Sequence, residues 1–475
     1  SIMVMPEQNV EGSPDFSDLS LTTLDRLYAS GRVRPRDVIA AIYDRIGNAV
    51  RPGWIFLRAR EESLRACAEV EARQAAGETF ALYGIPFGVK DNIDVAGMPT
   101  TAACPALERF PTRSARSVEV LLKAGAICLG KTNLDQLATG LSGARSPYGA
   151  CSSIGNVLYI SGGSSSGSAV TVAAGHVSFT LGTDTGGSGR IPAGFNGIVG
   201  IKPTVGRVSA RGVVPNCPTL DCVSIFALTV DDGVRVLKLI EGFDAEDPFS
   251  RQRPSSLDTT TGLHPESFRV GVLASKDQEW FGMPECAILY HQACERLARI
   301  AGTAVEVDFA PFRETGRMLF NGPWIAERRA AVASLIDGRE IALLDVTRTV
   351  LQRGAQYQGT TVFDGIHRLA ALRRAIEQQF ASIDAFLVPT APRPFTLGAM
   401  NADPIRLNNQ LGYYSYFANL LDLCAVAIPN GVLECGVPMG VTLLSPAWAD
   451  ERLADIARLL GESQASSGGR LAPVV

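Results

Sequence analysis

A lysine and two clusters of serine and glycine are the residues of this chain best suited to chemistry. The lysine ends the run Gly84-Ile85-Pro86-Phe87-Gly88-Val89-Lys90. The clusters are Gly162-Gly163-Ser164-Ser165-Ser166-Gly167-Ser168 and Gly186-Gly187-Ser188-Gly189-Arg190, with an apolar helix-then-strand stretch between them. Glycines before a serine let successive backbone N–H groups converge, because no Cβ restricts φ and ψ. Such a nest suits the oxyanion of a tetrahedral intermediate, where one donor is worth about 3–4 kcal/mol. The amides of Thr185, Gly186, Gly187 and Ser188 are the expected donors. A Gly-Ser loop also occurs without chemistry, so this segment alone does not decide the function.

A serine hydroxyl needs a base before it attacks a carbonyl. The four histidines, His176, His264, His291 and His367, stand in no comparable motif. Lys90 can serve only when neutral, which means lowering an ordinary lysine value of about 10.4 by about three pH units. Ile85, Phe87 and Val89 offer the apolar setting for that. The alternative is a surface lysine paired with Asp91 or Asp94. Asp184 and Arg190 are expected to shape the second loop. Ser165, Ser166 and Ser168 are expected to bond locally or start a helix.

Elements must hold these groups. From Tyr83 onward, short apolar runs punctuated by glycine read as buried strands with functional turns. The spacing predicts helices over 117–124 and 166–175, a short helix over 135–139, and strands over 126–129 and 177–181. Later come a strand at 270–273, helices around 287–301, 324–336 and 363–380, strands at 386–389 and 440–444, and a last helix marked by Leu453, Ile456, Ala457 and Leu460. Strands and helices interleaved along one core indicate an α/β architecture. Gly125-Ala126-Ile127-Cys128-Leu129-Gly130-Lys131-Thr132 matches a phosphate-binding loop by letter. A strand is expected inside it and a helix before it, the reverse of what a phosphate cradle needs, so nucleotide binding is not expected.

Composition narrows the classes. With 475 residues, 46% apolar and 19% charged, the chain has the material for a large folded core. A net charge of -4 gives no electrostatic reason for a nucleic-acid or anionic-membrane partner. The ten cysteines form no C-x-x-C pair and read as buried free thiols of a reducing compartment. No metal-ligand spacing is present, so neither a metal nor another cofactor is expected. The first residues lack the pattern of a signal peptide, and no apolar run reaches the ~18 residues of a spanning helix, so a cytoplasmic protein is expected.

The Lys90 segment, the two clusters, Gly200-Ile201-Lys202-Pro203-Thr204 and Gly436-Val437-Pro438-Met439-Gly440 together resemble the amidase signature family. The resemblance implies a mixed central sheet with helices on both faces and a Ser-cisSer-Lys triad. In it Ser188 is the nucleophile, Ser164 the relay after a cis peptide bond, and Lys90 the base. Further runs resemble the branch of the family that hydrolyses allophanate: Gly140 to Gly149, Leu220 to Phe226, and Gly322-Pro323-Trp324-Ile325-Ala326-Glu327-Arg328. That likeness implies a small anionic amide as substrate, Arg328 on its carboxylate, Phe320 and Gly143 as further substrate contacts, and a homodimer. Position 320 departs from the branch, where a tyrosine is usual; loss of its hydroxyl could favour biuret or another small carboxamide. An amidotransferase A-type subunit and a non-catalytic scaffold are the more distant alternatives. The expected organisation is a mobile lead over 1–17, one domain over 18–460 with a pocket-lining subregion at 267–385, and a tail over 461–475. The polar stretch 250–266 is the main internal boundary, and a further C-terminal domain often found in the family is expected to be absent.

Overall fold

A computed structural model of the chain describes residues 16–47, 52–257, 268–301 and 303–466. Most of the expected lead and tail, and the second half of the 250–266 stretch, lie outside the described residues. The last helix, Asp450–Ser466, continues past residue 460.

The apolar runs become strands. In chain order these are β1 (Trp54–Leu57), β2 (Pro86–Lys90), β3 (Ile127–Thr132), β4 (Ser152–Ser153), β5 (Asn156–Ile160), β6 (Phe179–Asp184), β7 (Val199–Lys202) and β8 (Cys222–Ala227). There follow β9 (Val270–Leu273), β10 (Ala304–Val307), β11 (Ala385–Pro389), β12 (Leu423–Val432) and β13 (Pro438–Pro446). Eleven of them form one sheet in the order β1-β3-β2-β6-β8-β7-β12-β13-β11-β9-β10, and β4 pairs with β5 apart from it. β2 runs parallel to both β3 and β6, β9 runs parallel to both β10 and β11, and the remaining pairs are antiparallel. This is the mixed α/β sheet that the resemblance implies.

Every residue of β2, β3, β6, β7, β8 and β11 is buried. Successive side chains point to opposite faces, so both faces of this central part are covered, which explains continuous rather than alternating apolar runs. Two local differences from the sequence reading matter. β6 starts at Phe179 and continues through Gly182 to Asp184, carrying Thr183 and Asp184 into the sheet. Gly182 does not end the strand; it admits Ser165 and Phe226, whose atoms would lie within 2.8 Å of a Cβ there. The stretch 135–139 holds only a short 3₁₀ turn, Gln136–Ala138, with Leu137 at φ 55°.

The helix Ser166–Ala173 follows the first serine cluster and lies against the sheet. Its small residues permit the approach, since a Cβ on Gly167 would collide with the backbone of Gly53 and Asn133. Ser165 and Ser168 do more than bond locally. Ser165 Oγ donates to Thr183 O at 3.0 Å, and the Ser168 and Thr132 hydroxyls lie 2.7 Å apart, which fastens the helix to β6 and β3. In the 267–385 region, β9, β10 and β11 join the main sheet. The helices Ala310–Phe320, Trp324–Ile336 and Asp345–Gly354 also fall in this region, and Val332, Ile336, Leu343 and Leu351 share a small core with Ala102, Cys104 and Leu137. All ten cysteines are free, Cys294 and Cys435 half-buried and the others buried. Among the described residues, no helix is long and apolar enough to cross a membrane.

Candidate active site

Three adjacent parallel strands, β3, β2 and β6, end side by side with Thr132, Lys90 and Asp184. The carboxyl ends of parallel strands are where open α/β sheets bind ligands. The lysine and both serine clusters meet there. Lys90 Nζ lies 2.8 Å from Ser164 Oγ and 2.7 Å from Thr183 Oγ1. Ser164 Oγ is 2.9 Å from Ser188 Oγ, and the Ser164 N–H donates to that oxygen at 3.0 Å. The Gly163–Ser164 peptide bond is cis.

The electrostatics suit a neutral amine. Burial pulls the Lys90 ammonium down to about 7, and the carboxylates of Asp135, Asp184 and Asp221 only partly oppose it. Pairing on the surface with Asp91 or Asp94 does not occur. Asp91 lies 2.8 Å from Lys131, and Asp94 lies 2.8 Å from Arg109. The same ion pair settles the phosphate-loop motif: Lys131 sits on β3, fully buried, with Nζ also donating to Pro99 O and Thr100 Oγ1.

The Ser188 loop is clamped by Asp184, as expected. Its carboxylate accepts from the amides of Gly187 and Gly189 at 3.1 and 3.0 Å, and from Arg190 Nε at 2.9 Å. Burial pushes the Asp184 carboxyl up, but Arg190, the Lys202 charge and the Gly189 amide together hold it below its usual range. This clamp corrects one expectation. The Gly187 amide is already engaged, which leaves Thr185, Gly186 and Ser188, whose amides make no hydrogen bond to another described residue. Glycine is needed at 187 for room instead: φ is 136°, and a Cβ would stand 2.5 Å from Ser415 Oγ. Asp221 was not singled out from sequence, yet it accepts from Thr185 Oγ1 at 2.6 Å and so fixes the loop from its other side.

Ser188 opens on a small cavity. Thr185, Gly186, Phe320 and Arg328 line it, together with Arg145, Arg353 and Tyr416, which the sequence did not flag. Gly143 does not line it. Its amide donates to Asp135 Oδ2 at 3.0 Å and its carbonyl accepts from the Cys151 amide at 3.2 Å, so it shapes the loop under Ser164. Its φ of 80° and the close approach of Ser161 require glycine. Among the described residues, Arg145, Arg328 and Arg353 form no ion pair, and Nε of both Arg145 and Arg328 is buried without a partner. No cluster of described residues has the make-up of a metal site.

The amidase family model matches residues 37–454. The chain belongs to the amidase family. It is an enzyme of that family, and the segments that carry Lys90, Ser164 and Ser188 all fall within the match. This amidase is 38% identical to urea amidolyase of Saccharomyces cerevisiae over 96% of its own length, but spans only 24% of that relative. It is 33% identical to the A-type subunit of glutamyl-tRNA(Gln) amidotransferase from Synechococcus, covering 85% of this chain and 88% of that one. Among solved structures, allophanate hydrolase of Kluyveromyces lactis superposes with a TM-score of 0.88 at 35% identity, covering 95% of the amidase and 74% of the other chain.

Proposed function

We propose that this amidase hydrolyses allophanate, with Ser188 as nucleophile, Ser164 as relay and Lys90 as base. The observation that carries the reading is the continuous 2.8 and 2.9 Å chain from Lys90 through Ser164 to Ser188, opening on a cavity walled by unpaired arginines. Neutral Lys90 donates to Thr183 Oγ1 and accepts the Ser164 proton, while Ser164 takes the proton of Ser188. Ser188 Oγ bonds to the amide carbon, and the carbonyl oxygen becomes an oxyanion facing the amides of Thr185, Gly186 and Ser188. The relay returns the proton to the nitrogen, the C–N bond breaks and ammonia leaves. Water then adds to the acyl-Ser188 ester, passing its proton along the same chain, and frees Ser188 as the acid departs.

A carboxylate-bearing substrate is favoured over biuret or a neutral carboxamide because such a neutral amide would leave the guanidinium of Arg328, which forms no ion pair with a described residue, without a counter-charge. Arg328 is the residue placed for the carboxylate, as in the resemblance to the allophanate branch. The similarity to proteins named allophanate hydrolase and urea amidolyase supports the same substrate. The cytoplasmic setting, the homodimer and the absence of a nucleic-acid partner remain part of this proposal.

Ammonia release from allophanate by the purified protein tests it, with biuret and a simple carboxamide in parallel. Ser188→Ala should lose at least about 10⁴-fold in turnover with an unchanged fold. Preference for a neutral amide would overturn the substrate, and activity surviving in Ser188→Ala would overturn the nucleophile.

A further inference from the structure

Two aromatic rings wall the cavity beside the arginines, those of Phe320 and Tyr416, with centroids 4.8 Å apart. Only Tyr416 carries a polar atom. It is 4% exposed, and its hydroxyl is weakly held, 3.3 Å from Asn409 Oδ1 and 3.4 Å from Asn408 Nδ2. An O–H donor bound in earnest sits near 2.7–2.8 Å from its acceptor. Burial raises the phenol to about 12, and the Arg328 and Arg145 guanidiniums act on it from nearby. The hydroxyl is therefore protonated at neutral pH, and it stands in a cationic corner of a cavity shared with Ser188.

Arg145 adds a constraint. Its Nη1 and Nη2 donate to the carbonyls of Thr139 and Pro404 at 2.9 and 2.7 Å, while Nε is left over. Arg145, Arg328 and Tyr416 all line one small space, and among the described residues neither arginine forms an ion pair. An anionic group bound there has the guanidiniums of Arg145 and Arg328 and the Tyr416 hydroxyl among its neighbours.

We propose that Tyr416 is a substrate-binding and specificity-determining residue, whose hydroxyl donates, beside Arg145 and Arg328, to the anionic end of a small carboxylate-bearing amide. Only the identity of that amide rests on the function proposed above. Phe320 then contributes shape and a packing surface, and the polar contact comes from the ring stacked on it.

Malonate serves as a non-hydrolysable dicarboxylate probe, titrated calorimetrically into the wild type, Tyr416→Phe and Tyr416→Phe/Phe320→Tyr. Tyr416→Phe keeps the ring and removes two long contacts, so its melting temperature should match the wild type. Its malonate affinity should fall about tenfold, as expected for one hydrogen bond to a charged group. With allophanate, KM should rise by a similar factor while kcat stays within about twofold. Moving the hydroxyl to the adjacent ring in the double variant should recover part of the affinity, which a purely structural role would not give. No malonate binding by the wild type, or affinity within about twofold of wild type in Tyr416→Phe, would overturn the inference. If malonate behaves as expected but allophanate releases no ammonia, the proposed substrate falls and Tyr416 stands. If allophanate is hydrolysed and Tyr416→Phe is indistinguishable from wild type, the reverse holds.

Discussion

Lys90 and Lys131 occupy neighbouring parallel strands, one pairing step apart, and both are fully buried. Their surroundings differ in one respect. Lys131 has the Asp91 carboxylate at 2.8 Å, while Lys90 has only the hydroxyls of Ser164 and Thr183 as partners. Burial disfavours an isolated charge, and a carboxylate at contact distance offsets part of that cost where a hydroxyl does not. The first lysine thus suits the base role proposed for it, and the second is tied into an ion pair that holds the 91–101 loop on the sheet. What makes a buried lysine reactive is the chemistry of its immediate partner.

Removing the reactive member should have the largest effect on turnover. Lys90→Ala is expected to lower kcat at pH 7 by about 10³-fold or more, with a normal circular dichroism spectrum, and recovery of ordinary rates would show the base to lie elsewhere. Titrating Lys90 instead of deleting it should give the next largest change. Because only the neutral amine accepts a proton and burial brings its value to about 7, kcat/KM should fall about tenfold per pH unit below 7 and level off above it. A profile flat down to pH 5 would contradict that assignment. Thr183→Val removes the hydroxyl that orients Nζ and should cost about tenfold in kcat. Lys131→Met should leave the turnover of folded protein within about threefold, yet leave Asp91 unpaired and cost about 3–5 kcal/mol in urea unfolding. Lys131→Met/Asp91→Leu should recover most of that loss, and a catalytic collapse in either variant would erase the contrast between the lysines.

The serine clusters and the Lys90 run were legible because glycine and serine at fixed spacing define local turns, and local turns are written in consecutive residues. The α/β class followed from the interleaved apolar runs, and the mixed sheet from the family resemblance. Thr183 was hidden because Gly182 reads as the end of a strand, whereas the absent side chain there makes room for Ser165 and Phe226. Asp221 and Tyr416 were hidden for another reason: each reaches the site only through long-range folding, and Tyr416 stands in an aromatic run, Tyr413 to Phe417, that reads as core. Gly187 and Gly143 were overread. Their glycine character answers to crowding by Ser415 and Ser161, while their amides are taken by Asp184 and Asp135.

β2 and β6 each have a strand bonded on both sides, and Lys90 and the Ser188 loop hang from their ends. Amides in such interior strands exchange with solvent only through global opening, unlike those at edges and loop tips. The proposed catalytic chain is therefore expected to belong to the last cooperative unit to come apart. On heating, hydrolysis should disappear in step with the main unfolding transition and not ahead of it, so residual activity becomes a direct gauge of the folded fraction.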